Sequence, residues 1–235
     1  MATTRPHGQP AKARRTRRSC DAILSALLAA ALLAGCGSSN NGIASKSPQE
    51  ILQASKTAIQ KASSVTIASK SAQGRLTFAS DLKLNRQGGQ GTLSLLGLRV
   101  ELIKTGQTIY VKGSPAFYER LQVKPPPPGT WLAAPASGKL EQIAGFTDLA
   151  GEATRIISTS GKITKGQTTT IEGQPVIELK TEGKLYKGRL YIKTTGEPYP
   201  LKLEKTGRET SHSTLTNWNN TPPPTPPAKT TTISG

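Results

Sequence analysis

The chain has 235 residues, a formal net charge of +17 at pH 7, two cysteines and only 4% aromatic residues. Its length suits one domain of ordinary size with tails, and two cysteines exclude a disulfide-rich framework. The strong positive charge favours partners that carry negative charge.

The N-terminal segment has the regions expected of an export signal. Six Lys and Arg residues up to Arg18 form a positive region, and an apolar run of 12 residues follows at 22–33. Because a spanning helix needs roughly 20 apolar residues, we expect this run to be cleaved as a signal peptide covering residues 1–35. An ordinary secretory peptide with a chance cysteine is the alternative.

The run ends in Leu33-Ala34-Gly35-Cys36, which has the form of a bacterial lipobox. We expect cleavage between Gly35 and Cys36, so that Cys36 begins the mature protein with an S-diacylglycerol group and an N-acyl chain such as palmitate. Two or more chains hold a protein on a bilayer, whereas one chain alone binds reversibly. Because the positive flank stays in the cytoplasm, the predicted location is the extracytoplasmic face of the cell membrane.

Processing leaves a mature part with one cysteine, which is lipidated, and one histidine, His212. These counts exclude an internal disulfide and Cys-based or multi-His metal sites, and no Gly-x-Ser-x-Gly elbow is present. Acidic residues are few and dispersed. We therefore expect a protein that is not an enzyme and that has no metal and no cofactor.

The removed segment takes six basic residues and one acidic residue with it, so the mature part keeps a charge near +12. On an exported protein this charge points to anionic lipid headgroups or acidic glycans, and nucleic acid is not expected in that compartment. A solvated lysine-rich surface that only keeps the domain soluble is the alternative.

Three helical segments are predicted. After a Gly/Ser/Asn-rich flexible tether at 36–46, Ser47-Pro48-Gln49-Glu50 predicts a helix start, with Ser47 as N-cap and Glu50 completing a capping box. Two shorter pieces, 114–121 and 139–150, flank the proline-rich loop 124–129.

From Val65 the apolar period changes to two, which is typical of strands. Short glycine-containing turns separate the strands, so that neighbours must be antiparallel. The predicted strands are 75–85, 92–96, 98–104, 107–112, 167–171, 175–181, 184–193, 201–205 and 211–218. Residues 219–235 are rich in Pro and Thr, and we expect them to be disordered or polyproline-like.

These elements predict an α+β fold: one large curved antiparallel sheet, a half-barrel, with helices covering its concave face in a domain at 47–218. A likeness to a known family is carried by the segments 47–50, 100–104, 109–113, 117–118, 129–131, 171–176 and 195–201. Through these segments the domain resembles the actinobacterial lipoproteins of the LppX/LprG type, which share the half-barrel of the LolA/LolB lipoprotein carriers. The resemblance implies a cavity for acyl chains between sheet and helices, and carriage of lipids or lipoglycans across the envelope.

Alternate strand positions present a mostly aliphatic surface, which suits flexible acyl chains. We call this set the apolar wall: Leu76, Phe78, Leu82, Leu84, Leu93, Leu95, Ile177, Leu179, Leu201 and Leu203. The same residues could instead form an ordinary dry core. The aromatic residues of the domain could form either a ligand platform or part of the core and its rim: Tyr110, Phe117, Tyr118 and Trp131. The predicted function is a membrane-anchored protein that binds or carries lipids or lipoglycans. An anchored, non-catalytic interaction or sensor module without lipid transport is the alternative.

Overall fold

The computed structural model describes residues 1–2 and 40–232. The predicted signal peptide, Gly35 and Cys36 lie outside the described residues. The described chain from Asn40 onward belongs to one compact unit.

The first helix, α1 (Pro48–Lys61), begins at the predicted capping box. The Ser47 N–H donates to Glu50 Oε2 at 2.9 Å, and the Glu50 N–H donates to Ser47 Oγ at 3.4 Å. The Ser47 hydroxyl also donates to Glu50 Oε2 at 2.6 Å. The hydroxyl bond first, and then the Ser47 N–H bond, favour the ionised carboxylate and hold the pKa of Glu50 below its ordinary value. The predicted helix start is confirmed.

Twelve strands form a single sheet. Their bounds are β1 (Ser64–Gln73), β2 (Leu76–Asn85), β3 (Gly88–Leu95), β4 (Leu98–Thr105), β5 (Thr108–Gly113), β6 (Trp131–Pro135), β7 (Lys162–Ile171), β8 (Gln174–Glu182), β9 (Tyr186–Lys193), β10 (Pro200–Gly207), β11 (Glu209–Thr216) and β12 (Thr230–Thr232). The order across the sheet is β12-β6-β5-β4-β3-β2-β1-β11-β10-β9-β8-β7, with β7 and β12 at the two free edges. Every pair is antiparallel except β12 with β6. The predicted class, one large open antiparallel sheet with helices, is confirmed.

Three further helices follow: α2 (Pro115–Leu121), α3 (Glu141–Gly145) and α4 (Leu149–Ile157). The prediction of a single helix at 139–150 is wrong, because the segment forms two helices, α3 and α4, with a break between them. At this break Thr147 Oγ1 donates to the Ala144 carbonyl at 2.6 Å. Strand β6 was not predicted, since its five residues between a proline loop and a turn carry too short a pattern.

The helices pack on one face of the sheet, which we call the helix side. Strand residues on this face and the helices share one buried cluster, in which Ile51 and Ile59 of α1, Ile157 of α4 and Leu82 are fully buried. The opposite, helix-free face presents the other alternate residues to solvent. Among the described residues, no helix is long and apolar enough to cross a membrane.

Part of the segment predicted as a flexible tether is held against the domain. Asn41 donates its backbone N–H to the Thr194 carbonyl at 2.8 Å and its side-chain amide to the Gly196 carbonyl at 2.8 Å. Ile43 is 2% exposed and belongs to the buried cluster. The interpretation of 40–46 as free linker is therefore corrected: a buried isoleucine and these hydrogen bonds fix the segment.

Much of the tail predicted as disordered is also placed on the domain. Asn219 accepts the Ser63 N–H at 2.7 Å, and Asn85 donates its side-chain amide to the Pro222 carbonyl at 3.2 Å. The tail then pairs as β12 with β6, so residues 219–232 run along one end of the sheet. Composition suggested disorder because this segment is apolar-poor, but hydrogen bonds to an existing sheet end do not require a core of its own.

Candidate binding surfaces

The sheet has two ends that differ in chemistry. The chain enters the domain at Asn40, which bridges Thr195 just after β9, and we call this the Asn40 end. The other end holds the turns 74–75, 96–97, 183–185 and residue 208. Apart from Met1, every exposed large hydrophobic side chain of the described residues lies here, so we call it the leucine end: Leu76, Leu95, Leu96 and Leu185, which are 57%, 51%, 44% and 41% exposed.

The apolar wall lies on the helix side, and most of it is packed. Six of its ten members are buried in the core cluster: Leu82, Leu84, Leu93, Ile177, Leu179 and Leu203. Phe78 and Leu201 are half-buried, and Leu76 and Leu95 are exposed. Along β2 the wall therefore runs from a fully buried Leu82 to an exposed Leu76. Its role in binding a ligand stays a prediction.

A stacked aromatic pair stands between the buried wall and its exposed end. The rings of Phe78 and Phe146 lie 5.3 Å apart at 21°. The Arg155 guanidinium lies 5.9 Å from the Phe146 ring centre and is held by Glu152, whose carboxylate accepts bonds of 2.6 and 2.8 Å. This bidentate bond raises the pKa of Arg155 above its ordinary value. Phe146, from the segment between α3 and α4, thus closes the helix side at the leucine end.

Serine side chains interrupt the wall just behind this pair. Ser69 and Ser213 are buried partners in neighbouring strands and share a hydrogen bond of 2.7 Å. Ser80, directly opposite Ser69 on β2, is 6% exposed, and its hydroxyl has no hydrogen-bond partner among the described residues. A buried hydroxyl without a partner is costly, and it would accept or donate a bond to a polar group that reached it.

A large groove lies mostly on the helix-free face. It has a volume of about 1190 Å³ and is lined by residues from Ser94 on β3 to Lys162 on β7. Eight neighbouring strands run from β3 to β7 in the sheet. On a flat sheet, the first and the last of them would lie roughly 34 Å apart at ~4.8 Å per strand. They share one groove because a twisted sheet is hollow along a diagonal of each face. Two adjoining grooves of about 460 and 400 Å³ extend it towards β4.

The large groove is polar and positively charged. Its lining contains six basic residues and two acidic ones, Glu182 and Glu204. Arg189 lies 3.5 Å and Lys180 3.7 Å from Glu178. Tyr191 and the Glu178 charge raise the pKa of Arg189, so its guanidinium stays protonated. His212 lines the groove as well, with Nδ1 3.8 Å from Glu204 Oε1.

The four aromatic residues singled out in the sequence do not converge. Phe117 and Tyr118 form a buried edge-to-face pair on α2 at 5.3 Å. Trp131 instead lines the smallest groove on the helix-free face, where the Lys112 ammonium lies 5.9 Å from its ring. The four residues therefore do not form one platform, because Phe117 and Tyr118 are buried on α2, whereas Trp131 on β6 lies on the helix-free face.

The helix-free groove was not identified from sequence. Most of its residues are the polar positions that alternate with the apolar wall, and Phe78 of the wall also lines it. Such polar positions normally indicate only a solvated face. The available signal was their basic bias on β8 and β9, at Lys180, Lys187 and Arg189. Within residues 40–232 no cluster of three metal-ligating side chains is found.

No protein-family model and no curated protein sequence matches the chain. Solved structures do resemble it. LprF from Mycobacterium bovis is 16% identical over 74% of this chain and 95% of its own, with a TM-score of 0.47. An uncharacterized conserved protein from Thermus thermophilus is 10% identical over 80% and 98%, with a TM-score of 0.38. MucB in complex with MucA(peri) is 13% identical over 72% and 56%, with a TM-score of 0.35.

At these identities the similarity concerns the fold alone. The described domain is one open, mostly antiparallel sheet with helices packed on one face.

Proposed function

We propose that this protein is a lipid-anchored, non-catalytic component of the cell envelope that binds lipids or lipoglycans through the helix side of its sheet. The anchor is Cys36, at the extracytoplasmic face of the cell membrane. The proposal rests on one observation: on the same face of β2 and β3, the apolar wall runs from fully buried leucines, past Ser80, to leucines exposed by about half. Contiguous exposed apolar patches on monomeric domains mark interaction sites.

The geometry suggests how an amphiphile would enter. An acyl chain would first contact Leu76 and Leu95, then displace Phe146 from its stack on Phe78. Each buried methylene contributes about 0.8 kcal/mol, so a chain of ordinary length offsets the loss of one aromatic contact. The unpartnered Ser80 hydroxyl behind the pair would then meet a hydroxyl group carried on the acyl chain.

Net charge at the leucine end supports an amphiphile with an anionic head. The four turns contain Arg75, Lys184 and Arg208 and no acidic residue. Positive charge beside exposed leucines is the combination that binds anionic lipid surfaces.

The experiment is native mass spectrometry and vesicle-to-vesicle transfer of labelled lipid, using the full chain with Cys36→Ala to remove the anchor. We expect co-purified lipid and measurable transfer. Leu95→Ser should weaken lipid uptake about fivefold, since roughly half of a leucine's burial energy is lost. Leu185→Ser is the matched control, because Leu185 is 41% exposed at the same end but belongs to the β8–β9 turn. A ligand-free protein with no transfer activity would contradict the proposal.

The anchor is tested separately. The wild-type chain should enter the detergent phase on phase separation, and the Cys36→Ala chain should remain in the aqueous phase. Retention of membrane attachment after this substitution would show that Cys36 is not the anchor.

A second candidate is the interaction module without lipid transport. It is favoured by the packing of the helix side, where six wall residues are no more than 5% exposed. The groove of about 1190 Å³, which lies mostly on the other face, also favours it. Under this candidate the Cys36→Ala chain moves no lipid but still binds its partner.

A further inference from the structure

The helix-free face has a row of side chains that runs straight across nine strands. Register pairs each member directly with the next: Arg99, Ser94, Ala79, Lys70, His212, Glu204, Arg189, Lys180 and Thr164. At ~4.8 Å per strand the row is roughly 38 Å long. We call it the basic row. Because it follows the floor of the grooves, a long ligand lying across the strands would contact it throughout.

The positive charges of this face are unevenly neutralised. Arg189 and Lys180 share Glu178, and Glu204 is bound by Lys202 at 2.7 Å. Lys70, at the centre of the row, and Lys162, at the groove edge, take part in none of the ion pairs found among residues 40–232. Two unpaired ammonium groups in one groove are free to bind anions from a ligand.

The groove lining combines ammonium groups with hydroxyl groups over a floor of small residues. Its hydroxyls include Thr77, Thr206 and Thr210; Thr206 donates to the Lys187 carbonyl at 3.5 Å and Thr210 to the Ala72 carbonyl at 3.4 Å, which leaves their oxygens as acceptors. Its carboxylates are Glu182 and Glu204. A ligand that carries both anionic groups and many hydroxyls matches such a surface. A nucleic acid would require aromatic stacking surfaces, and Phe78 is the one aromatic residue in this lining.

We propose that the helix-free groove is a second binding site, for a linear acidic polysaccharide that lies along the basic row. The carboxylate or phosphate groups of the polysaccharide would bind Lys70, Lys162 and Arg189. Its hydroxyls would bind the threonine hydroxyls of the groove lining. The basic row lies on the face opposite the apolar wall, and of the wall residues Phe78 also lines the groove. The charged contacts proposed here use no wall residue, so they do not depend on the proposed lipid binding. The two sites together would let one domain hold the lipid part and the sugar part of envelope material separately.

The test measures binding of polygalacturonate oligomers and of glycerol-phosphate polymers to the full Cys36→Ala chain by titration calorimetry. Neutral dextran is the blank. We expect saturable binding of at least one anionic polymer, weakened by added salt because exposed charges are screened. Preference for one of the two polymers identifies carboxylate or phosphate as the recognised group.

The decisive variant is Lys70→Gln with Lys162→Gln. Neither ammonium is in an ion pair, so folding should be preserved, and we expect about tenfold weaker binding from the loss of two exposed charge contacts. Lys56→Gln with Lys61→Gln on α1 is the control: it removes the same charge from the helix side and should bind as wild type does.

Three results would overturn the inference. The groove variant could bind as tightly as the control variant, which would mean that net charge alone attracts the polymer. Poly-glutamate could bind as tightly as the polysaccharides, which would favour an acidic polypeptide as the ligand. No anionic polymer could bind at low salt. None of these results bears on lipid transfer, so failure here and failure of the lipid-binding proposal are distinguishable.

Discussion

Truncation of Phe146 should loosen the closure of the helix side and increase access to the wall. The ring stacks on Phe78 at 5.3 Å and lies under the Arg155 guanidinium. Replacing a fully buried Phe by Ala costs about 3–5 kcal/mol. Since Phe146 is only half-buried, we expect Phe146→Ala to lower the free energy of unfolding by about 2 kcal/mol. The same change should raise the rate of labelled-lipid uptake.

A double-mutant cycle isolates the aromatic contact from the general loss of packing. Phe78→Ala, Phe146→Ala and the double variant are unfolded in urea, and the coupling free energy is taken from the four values. Offset-stacked pairs contribute about 0.5–1.5 kcal/mol beyond buried area, and we expect a coupling in that range. A coupling near zero, or a Phe146→Ala protein that takes up lipid no faster than wild type, would refute the assignment of Phe146 as the closing residue.

Three more predictions concern groups elsewhere in the domain. Ser213→Ala leaves the buried Ser69 hydroxyl without its 2.7 Å partner, so we expect the free energy of unfolding in urea to fall by about 1–3 kcal/mol. Ser80→Ala removes a hydroxyl that already has no partner, so this variant should be as stable as wild type or more stable. Equal losses of stability in the two variants would show that the serine contacts are not as described. Asn219→Ala removes the bond that the Ser63 N–H donates at 2.7 Å and the bond to the Tyr199 hydroxyl at 2.9 Å. We expect the free energy of unfolding to fall by about 2 kcal/mol and the tail to become sensitive to proteolysis. Unchanged digestion after residue 219 would show that other contacts hold the tail. The pKa of Glu50 is lower in the folded chain than its ordinary 4.5, so its contribution is complete above that value and is lost as pH falls through the lower folded pKa; Glu50→Gln should make stability less dependent on pH in this acid range, and an unchanged pH profile of unfolding would contradict this.

Local chemistry was sufficient to predict much of the domain. Ser47 and Glu50 specify a helix start through four consecutive residues, and period-two alternation on β2 assigns Leu82 and Leu84 to the buried face without knowledge of any partner strand. Both signals are short-range, so they survive whatever the rest of the chain does. The lipobox predicted at Gly35 and Cys36 likewise rests on a local pattern.

Segments that depend on distant partners were mispredicted. Residues 40–46 look like linker until Ile43 meets the core, and 219–232 look disordered until Asn219 and Thr230 meet β1 and β6. Contacts with residues about a hundred positions or more away along the chain hold both segments in place. No short window of sequence contains both partners of such a contact.

The sequence by itself determined the compartment prediction, the antiparallel sheet and which side chains share a face, because each follows from patterns within a few residues. Only the tertiary structure decided how much of the apolar wall the helices cover and that Leu76 and Leu95 stay exposed. It also decided that side chains from nine strands line up as the basic row. Register and twist across a sheet are set by all of its strands together, and for that reason the basic row became visible only in the folded chain.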